Sequence, residues 1–248
     1  MLGNESEYDT GVNTFSPEGR IYQIEYAMNA SKLGSSAVGL VCRNGVVFAT
    51  EKKSNNPLVE KSGFDKLCKV DDHVFCIVSG LIADSRKLIE TARSEAHYHR
   101  FLYREPINIK ALTQSVADLA LNFGEGDITT KRKPIARPYG VSLLFGGIDK
   151  SGPNVYQMDP SGTMVGYLAK GLGSAEEGIQ HLLDQNYVEG MDVKDGEKLA
   201  LAILKQVMEE KINEKRVDLI VIEKPEEGFL KRDEAYVSDL LKVVKDLS

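Results

Sequence analysis

The side chains best suited to chemistry in this sequence do not form an obvious catalytic group. His97 and His99 stand two positions apart in a stretch of helical periodicity, so they face different directions and make a poor metal pair. Cys42, Cys68 and Cys76 are the three cysteines, and none belongs to a C-x-x-C pair, so a zinc site is not expected. Their apolar, strand-like surroundings read as reduced core thiols in a reducing compartment. Gly171-x-Gly173 ahead of a helix could cradle a phosphate, but the full nucleotide pattern is missing and a turn into Ser174 is the simpler reading. Lys131-Arg132-Lys133 lies in a loop-like stretch with glycine and proline, 124–138, and reads as a solvated loop, with a nuclear-import address as the sharper alternative. The acidic run from Glu223 to Glu227 reads as an exposed loop. No metal and no cofactor is expected.

The elements that position these residues follow from periodicity. Residues 1–15 are polar and unpatterned, and Ser16-Pro17-Glu18-Gly19 is a turn. A short helix is predicted over about 20–31, with Ile21, Ile24 and Met28 on its inner face. Strands follow at 36–42 and 46–51, joined by Asn44-Gly45, and at 66–70 and 74–79, joined by Asp71-Asp72. A helix over about 81–101 carries Leu81, Ser85, Leu88, Ile89, Ala92 and Ala96 as its inner stripe. A second helix spans about 107–123.

The same order then recurs. Strands are predicted at 141–148, 154–158 and 163–168. A helix starts at Ser174, where Ser174 and Glu177 fit a capping box, and another covers about 192–211. Residues 217–222 form a strand, and a last helix runs over about 232–246 with Val237, Leu240, Leu241 and Val244 inward. Tight turns between strands imply antiparallel pairing. Paired helices that must cover sheet faces favour two antiparallel sheets packed face to face with helices outside, an α+β, four-layer αββα sandwich.

Bulk properties restrict the function. The 248 residues, 42% of them hydrophobic, suffice for one substantial core. The net charge of −6 argues against non-specific nucleic-acid binding, which needs a basic face. No apolar run approaches the ~20 residues that span a bilayer, so no membrane partner is expected. The start, MLGNESEYDT, lacks a basic and apolar leader and is not expected to be a secretory signal.

Tyr8-Asp9, Asn13-Thr14-Phe15-Ser16-Pro17-Glu18-Gly19-Arg20 and Ile21-Tyr22-Gln23-Ile24-Glu25-Tyr26-Ala27 closely resemble the N-terminal signature of 20S proteasome α subunits. Leu33 to Gly39, Ser79 to Asp84, Arg137 to Val141 and Met158 to Gly162 fit the same family, so the resemblance covers nearly the whole chain. Glu5 to Thr14, Thr10 excepted, and Lys205 to Lys211 are most similar to the fifth type of α subunit. The usual Arg after Tyr-Asp is Thr10 here, which removes a fixed charge with a planar donor fork. The family's fold is the αββα sandwich, one domain over 1–248: a gating tail (1–15), the α-type helix (20–31) and the sandwich (32–248).

The family's β chains are cleaved so that a threonine becomes the first residue and its hydroxyl attacks peptide bonds. By this resemblance Ser35 falls at the nucleophile's place, Glu51 at an acidic partner's and Lys66 near the catalytic lysine's. Ser35 lies behind the helix and the α signature, so without cleavage it has no free α-amine as base. The expectation is a chain with no catalytic residue, not an enzyme itself. A hydrolase exposed by cleavage at Ser35, or a free-standing scaffold of the same fold, are the alternatives.

The resemblance implies further roles. Lys66, with Gly34 and Gly80 beside it, would receive the C-terminal carboxylate of an activator tail in a pocket between adjacent α subunits. Tyr8, Asp9, Pro17 and Tyr26 would hold the open gate of the axial pore, with Pro17 fixing its turn. The helix over 20–31 would cross the top of the sandwich and meet the next subunit. Implied partners are neighbouring α subunits in a seven-membered ring, β-ring subunits, a regulatory particle or other activators, and unfolded polypeptide in transit. Implied locations are cytoplasm and nucleus, and the implied process is ubiquitin-dependent protein degradation.

Overall fold

The computed structural model describes residues 11–52, 66–124, 136–208, 212–224 and 228–244. Helix α1 (Tyr22–Lys32) leads into the hairpin β1 (Ala37–Cys42) and β2 (Gly45–Glu51), then β3 (Leu67–Asp71) and β4 (Val74–Gly80). Helices α2 (Ile82–Tyr103) and α3 (Ile109–Ala120) follow, then β5 (Val141–Asp149), β6 (Gly152–Met158), β7 (Met164–Tyr167) and β8 (Ala169–Leu172). The chain continues with α4 (Glu176–Asn186), α5 (Val193–Val207), β9 (Val217–Lys224), β10 (Gly228–Lys231) and α6 (Glu234–Val243).

Two five-stranded antiparallel sheets result, ordered β10-β9-β2-β1-β8 and β3-β4-β5-β6-β7. Their central strands are apolar at consecutive positions because both faces are covered. On β2, Val46 and Phe48 point between the sheets while Val47 and Ala49 meet helices α4, α5 and α6. On β4, Phe75 and Ile77 point between the sheets while Val74, Cys76 and Val78 meet α2 and α3. Three apolar cores therefore separate four layers, as the expected αββα order requires. Phe48 fills the middle one: a Cβ on Gly39 would lie 2.7 Å from its ring, and one on Gly146 2.4 Å.

Several expected elements differ. The strand expected over 163–168 is β7, which borders one sheet; β8, over 169–172, is additional and pairs with β1 in the other. The chain crosses between sheets at Leu168 without a turn residue. Strand β10 is additional; its Phe229 ring lies 4.2 Å from that of Phe75 and closes one edge of the sandwich. The Ser174 capping box is not made. Helix α4 begins at Glu176 after Ala175, with no side-chain cap, because Ser174 N–H is committed to Gly34 O (2.9 Å). Leu81 precedes α2 and is 48% exposed, not inward. On α1, Ala27 and Ser31 are the buried residues, while Ile21, Ile24 and Met28 are half-buried. Gly171-x-Gly173 serves packing: a Cβ on Gly171 would lie 2.4 Å from Ile179, and one on Gly173, at φ +94°, 2.3 Å from Ser35 O.

Candidate functional site

The last turn of α1, the end of β4, the start of β3 and the start of β5 meet at one end of the sandwich. Ser31, buried on α1, donates through Oγ to Met28 O (2.8 Å). Its carbonyl accepts Ser79 Oγ (2.9 Å), and its hydroxyl accepts Ser142 Oγ (3.0 Å). Ser79 and Ser142 are register partners on β4 and β5, so three buried hydroxyls pin the helix to two strands. Each satisfies a group that burial would otherwise leave costly.

Gly34 and Gly80 interlock beside this network. A Cβ on Gly34 would lie 2.4 Å from Gly80 N and 2.3 Å from Ser79 Oγ. Gly80 has φ +112°, and a Cβ there would meet Gly140 O at 2.4 Å and Ser31 Cα at 2.7 Å. Only glycine accepts both the left-handed backbone and the contact. Leu81 N–H donates to Gly140 O (2.9 Å). Asp84 receives Arg137 twice, at 2.7 and 2.9 Å, and Gly140 N–H at 2.9 Å. Burial opposes the charged form of Asp84, but the Arg137 and Gly140 hydrogen bonds outweigh it and hold its carboxyl below the usual range.

Ser35 follows Gly34 and is 3% exposed. The Lys66 ammonium donates to its Oγ, and Lys66 O accepts Val78 N–H (2.9 Å) from β4. Lys66 therefore meets Ser35, the residue after Gly34, and Gly34 in turn abuts Gly80. Glu51, at the buried end of β2, accepts Ser36 N–H on Oε2 (3.4 Å) and donates its own N–H to Ser36 O (2.9 Å). Lys66 thus reaches the Ser35 hydroxyl, while the Glu51 carboxylate engages the backbone of the next residue. While Ser35 stays joined to Gly34 its nitrogen is a peptide amide, which cannot act as base.

The gate residues are only partly placed. Tyr8 and Asp9 lie outside the described residues. Pro17 is exposed in a turn closed by Gly19 N–H to Ser16 O (2.9 Å), Arg20 N–H to Ser16 Oγ (3.2 Å) and Ser16 N–H to Arg20 O (2.8 Å). Tyr26 lies on the outer side of α1, 46% exposed, its ring 6.4 Å from Tyr22. Leu33, 80% exposed, ends the same surface. The loop carrying Lys131-Arg132-Lys133 also lies outside the described residues.

Sequence reasoning missed the Ser31–Ser79–Ser142 network and the Asp84–Arg137 pair. The hydroxyls are 48 and 111 positions apart in the chain, and small polar residues at strand ends were the one available signal. His97 is exposed, while His99 Nδ1 is 3.2 Å from Glu105 O, so the two diverge. Among the described residues no group of three His, Cys, Asp or Glu side chains could hold a metal ion. None of the described helices is long and apolar enough to cross a membrane.

Comparison with known proteins agrees with this geometry. The family described as Proteasome subunit matches residues 31–222, and the N-terminal signature of α-type proteasome subunits matches residues 8–30. The alpha type-5 proteasome subunit of Dictyostelium discoideum is 47% identical over 229 residues, 92% of this chain and 93% of its own. That of Caenorhabditis elegans is 46% identical over 222 residues, 90% of this chain and 88% of its own. The probable alpha type-5 proteasome subunit of Schizosaccharomyces pombe is 48% identical over 219 residues, 88% of each chain. The chain belongs to the proteasome subunit family and bears the N-terminal signature of its α-type members.

Proposed function

We propose that this chain is a non-catalytic α-ring subunit of the 20S proteasome core, acting in intracellular protein degradation. The observation that carries the reading is the seating of α1, the helix within the α-type signature, on the ends of β4 and β5. Ser31 locks that helix to both strands, and Ser35, directly behind it, is buried. The Lys66–Ser35 contact is then a polar pair retained from the shared fold, without hydrolytic power. In the assembled state the partners are neighbouring α subunits in a seven-membered ring, β-ring subunits and polypeptide in transit, in the cytoplasm and nucleus.

Lys66, Gly34 and Gly80 take the carboxylate of an activator's C-terminal tail. Supporting this, a lysine and two glycine backbones converge beside the exposed side chains of Leu33 and Leu81. An ammonium in a partly desolvated crevice suits a terminal carboxylate. Tyr8, Asp9, Pro17 and Tyr26 hold the open arrangement of the gating tail, residues 1–15, and activator binding favours that arrangement. The exposure of the Pro17 turn and of Tyr26 in the single chain supports a contact completed by a neighbour. Reconstitution of the particle with this chain tests the assignment: it occupies one α-ring position, and replacement of Ser35 by alanine leaves peptide hydrolysis intact. Loss of one hydrolytic specificity on that replacement would refute it.

A further inference from the structure

Cys68 and Cys76 are direct partners across the β3–β4 ladder, and both pack into the core under α2 and α3. Their thiols therefore leave the sheet on the same face. The hydrogen bond from Val78 N–H to Lys66 O fixes the alternation along the ladder. Lys66–Val78 is a hydrogen-bonded pair, Leu67–Ile77 is the other kind, and Cys68–Cys76 is hydrogen-bonded again. Such pairs hold their Cα atoms about 5.5 Å apart, inside the ~4.4–6.8 Å that a disulfide bridges. Their Cβ atoms must approach by roughly 1 Å to reach disulfide geometry. Strand β3 can make that movement: it borders its sheet with β4 as neighbour, and its register already shifts between Lys69 and Asp71.

We propose that Cys68 and Cys76 form a reversible intrachain disulfide when the protein meets a peroxide. The two thiols differ in access. Cys76 is buried and Cys68 is half-buried, so oxidation begins at Cys68. Its sulfur takes one oxygen from the peroxide, giving a sulfenic acid and releasing water. The Cys76 sulfur then attacks the Cys68 sulfur and the S–O bond breaks. The hydroxide leaves with the Cys76 thiol proton as a second water, and the S–S bond remains. Burial holds the Cys76 thiol protonated, which makes the second step the slower one and keeps Cys76 from reacting first. An external thiol reverses the link by exchange. Cys42 cannot substitute, because it lies in the other helix-facing core, where a Cβ on Gly196 would be 2.6 Å from its sulfur.

The link is read directly by mass spectrometry. The full-length protein in its native assembly is treated with hydrogen peroxide, its remaining thiols are alkylated in denaturant, and it is cut with trypsin. Cleavage after Lys69 separates Cys68 from Cys76, so a disulfide joins peptides 67–69 and 70–86. The expected product is that joined pair, two hydrogens lighter than the separate peptides and released by dithiothreitol, with Cys42 alkylated. Cys68→Ser and Cys68→Ala each abolish the joined pair and leave Cys76 as an alkylated thiol. Wild-type protein in which Cys68 becomes a sulfinic acid or an intermolecular disulfide while Cys76 is still alkylated would overturn the proposal.

Discussion

Asp84 holds Arg137 through two parallel hydrogen bonds of 2.7 and 2.9 Å, across 53 positions of chain. The same carboxylate takes Gly140 N–H, and Gly140 O takes Leu81 N–H. The pair thus sets the backbone of Gly140 against Gly80, where a Cβ would leave 2.4 Å to the Gly140 oxygen. A surface charge pair of this kind is ordinarily worth little, but the Asp84 side chain is only 13% exposed.

Asp84→Asn keeps the shape and removes the charge. The expected cost is about 1–2 kcal/mol, below the full value of a charged hydrogen bond because Arg137 is solvated. The folded-state carboxyl is held below its unfolded value, so its contribution is complete above the ordinary carboxylate range near pH 4 and is lost as pH falls through the folded pKa. Urea midpoints for wild type and variant should therefore converge on acidification from neutral pH toward pH 3. A gap that stays constant over that range would show that the charge is not responsible.

Glu197 is fully buried on α5 and accepts Tyr236 Oη (2.7 Å) and Arg232 Nε (2.5 Å), which fastens α6 and the segment after β10 to the sandwich. Glu197→Ala leaves the Arg232 charge partly buried without its carboxylate, and breaking such a pair costs about 3–5 kcal/mol. Tyr236→Phe removes one hydrogen bond and costs about 1–2 kcal/mol. Urea unfolding of both variants checks the ranking.

Gly80→Ala imposes a side chain on φ +112° and on the Gly140 oxygen. The backbone strain alone is worth about 1–3 kcal/mol. The expected result is a lower unfolding midpoint together with weaker binding of activator tail peptides. Gly152→Ala is the control: its φ of +104° is similarly left-handed, but nothing lies within 4 Å of the new Cβ, so it should destabilise less and leave tail binding unchanged.

Lys66→Ala should reduce stimulation of the assembled particle by a carboxylate-terminated activator and leave ring assembly intact. Native mass spectrometry reads assembly, and peptide hydrolysis with and without activator reads stimulation. Unchanged stimulation would assign the docking role to pockets formed by other subunits.

The layered fold was legible because tight turns implied antiparallel sheets and the paired helices had to cover their faces; Val46 to Ala49 and Phe75 to Val78 are accordingly buried on both sides. The crossing at Leu168 was not legible. The strand expected over 163–168 covers β7 alone, and β8 is defined by its pairing with Ala37 to Leu40, a partner distant in the chain. The Ser174 cap failed because a local motif lost its backbone N–H to a tertiary acceptor, Gly34 O. Lys66, Gly34 and Gly80 came from the family resemblance; the structure adds the Lys66–Ser35 contact and the close approach of Gly34 to Gly80. Pro17 and Tyr26 face outward from a single chain, so the contacts expected of them require a neighbour.

The non-catalytic assignment requires that Ser35 never gains a free amine and never acts as a nucleophile. Exposing the assembled particle to an electrophilic covalent proteasome inhibitor and mapping the adducts by peptide mass spectrometry tests this without an intermediate step. Adducts should appear on other chains, and this chain should yield an unmodified peptide in which Ser35 is still joined to Gly34. A fragment that begins at Ser35 and carries the inhibitor would contradict the assignment.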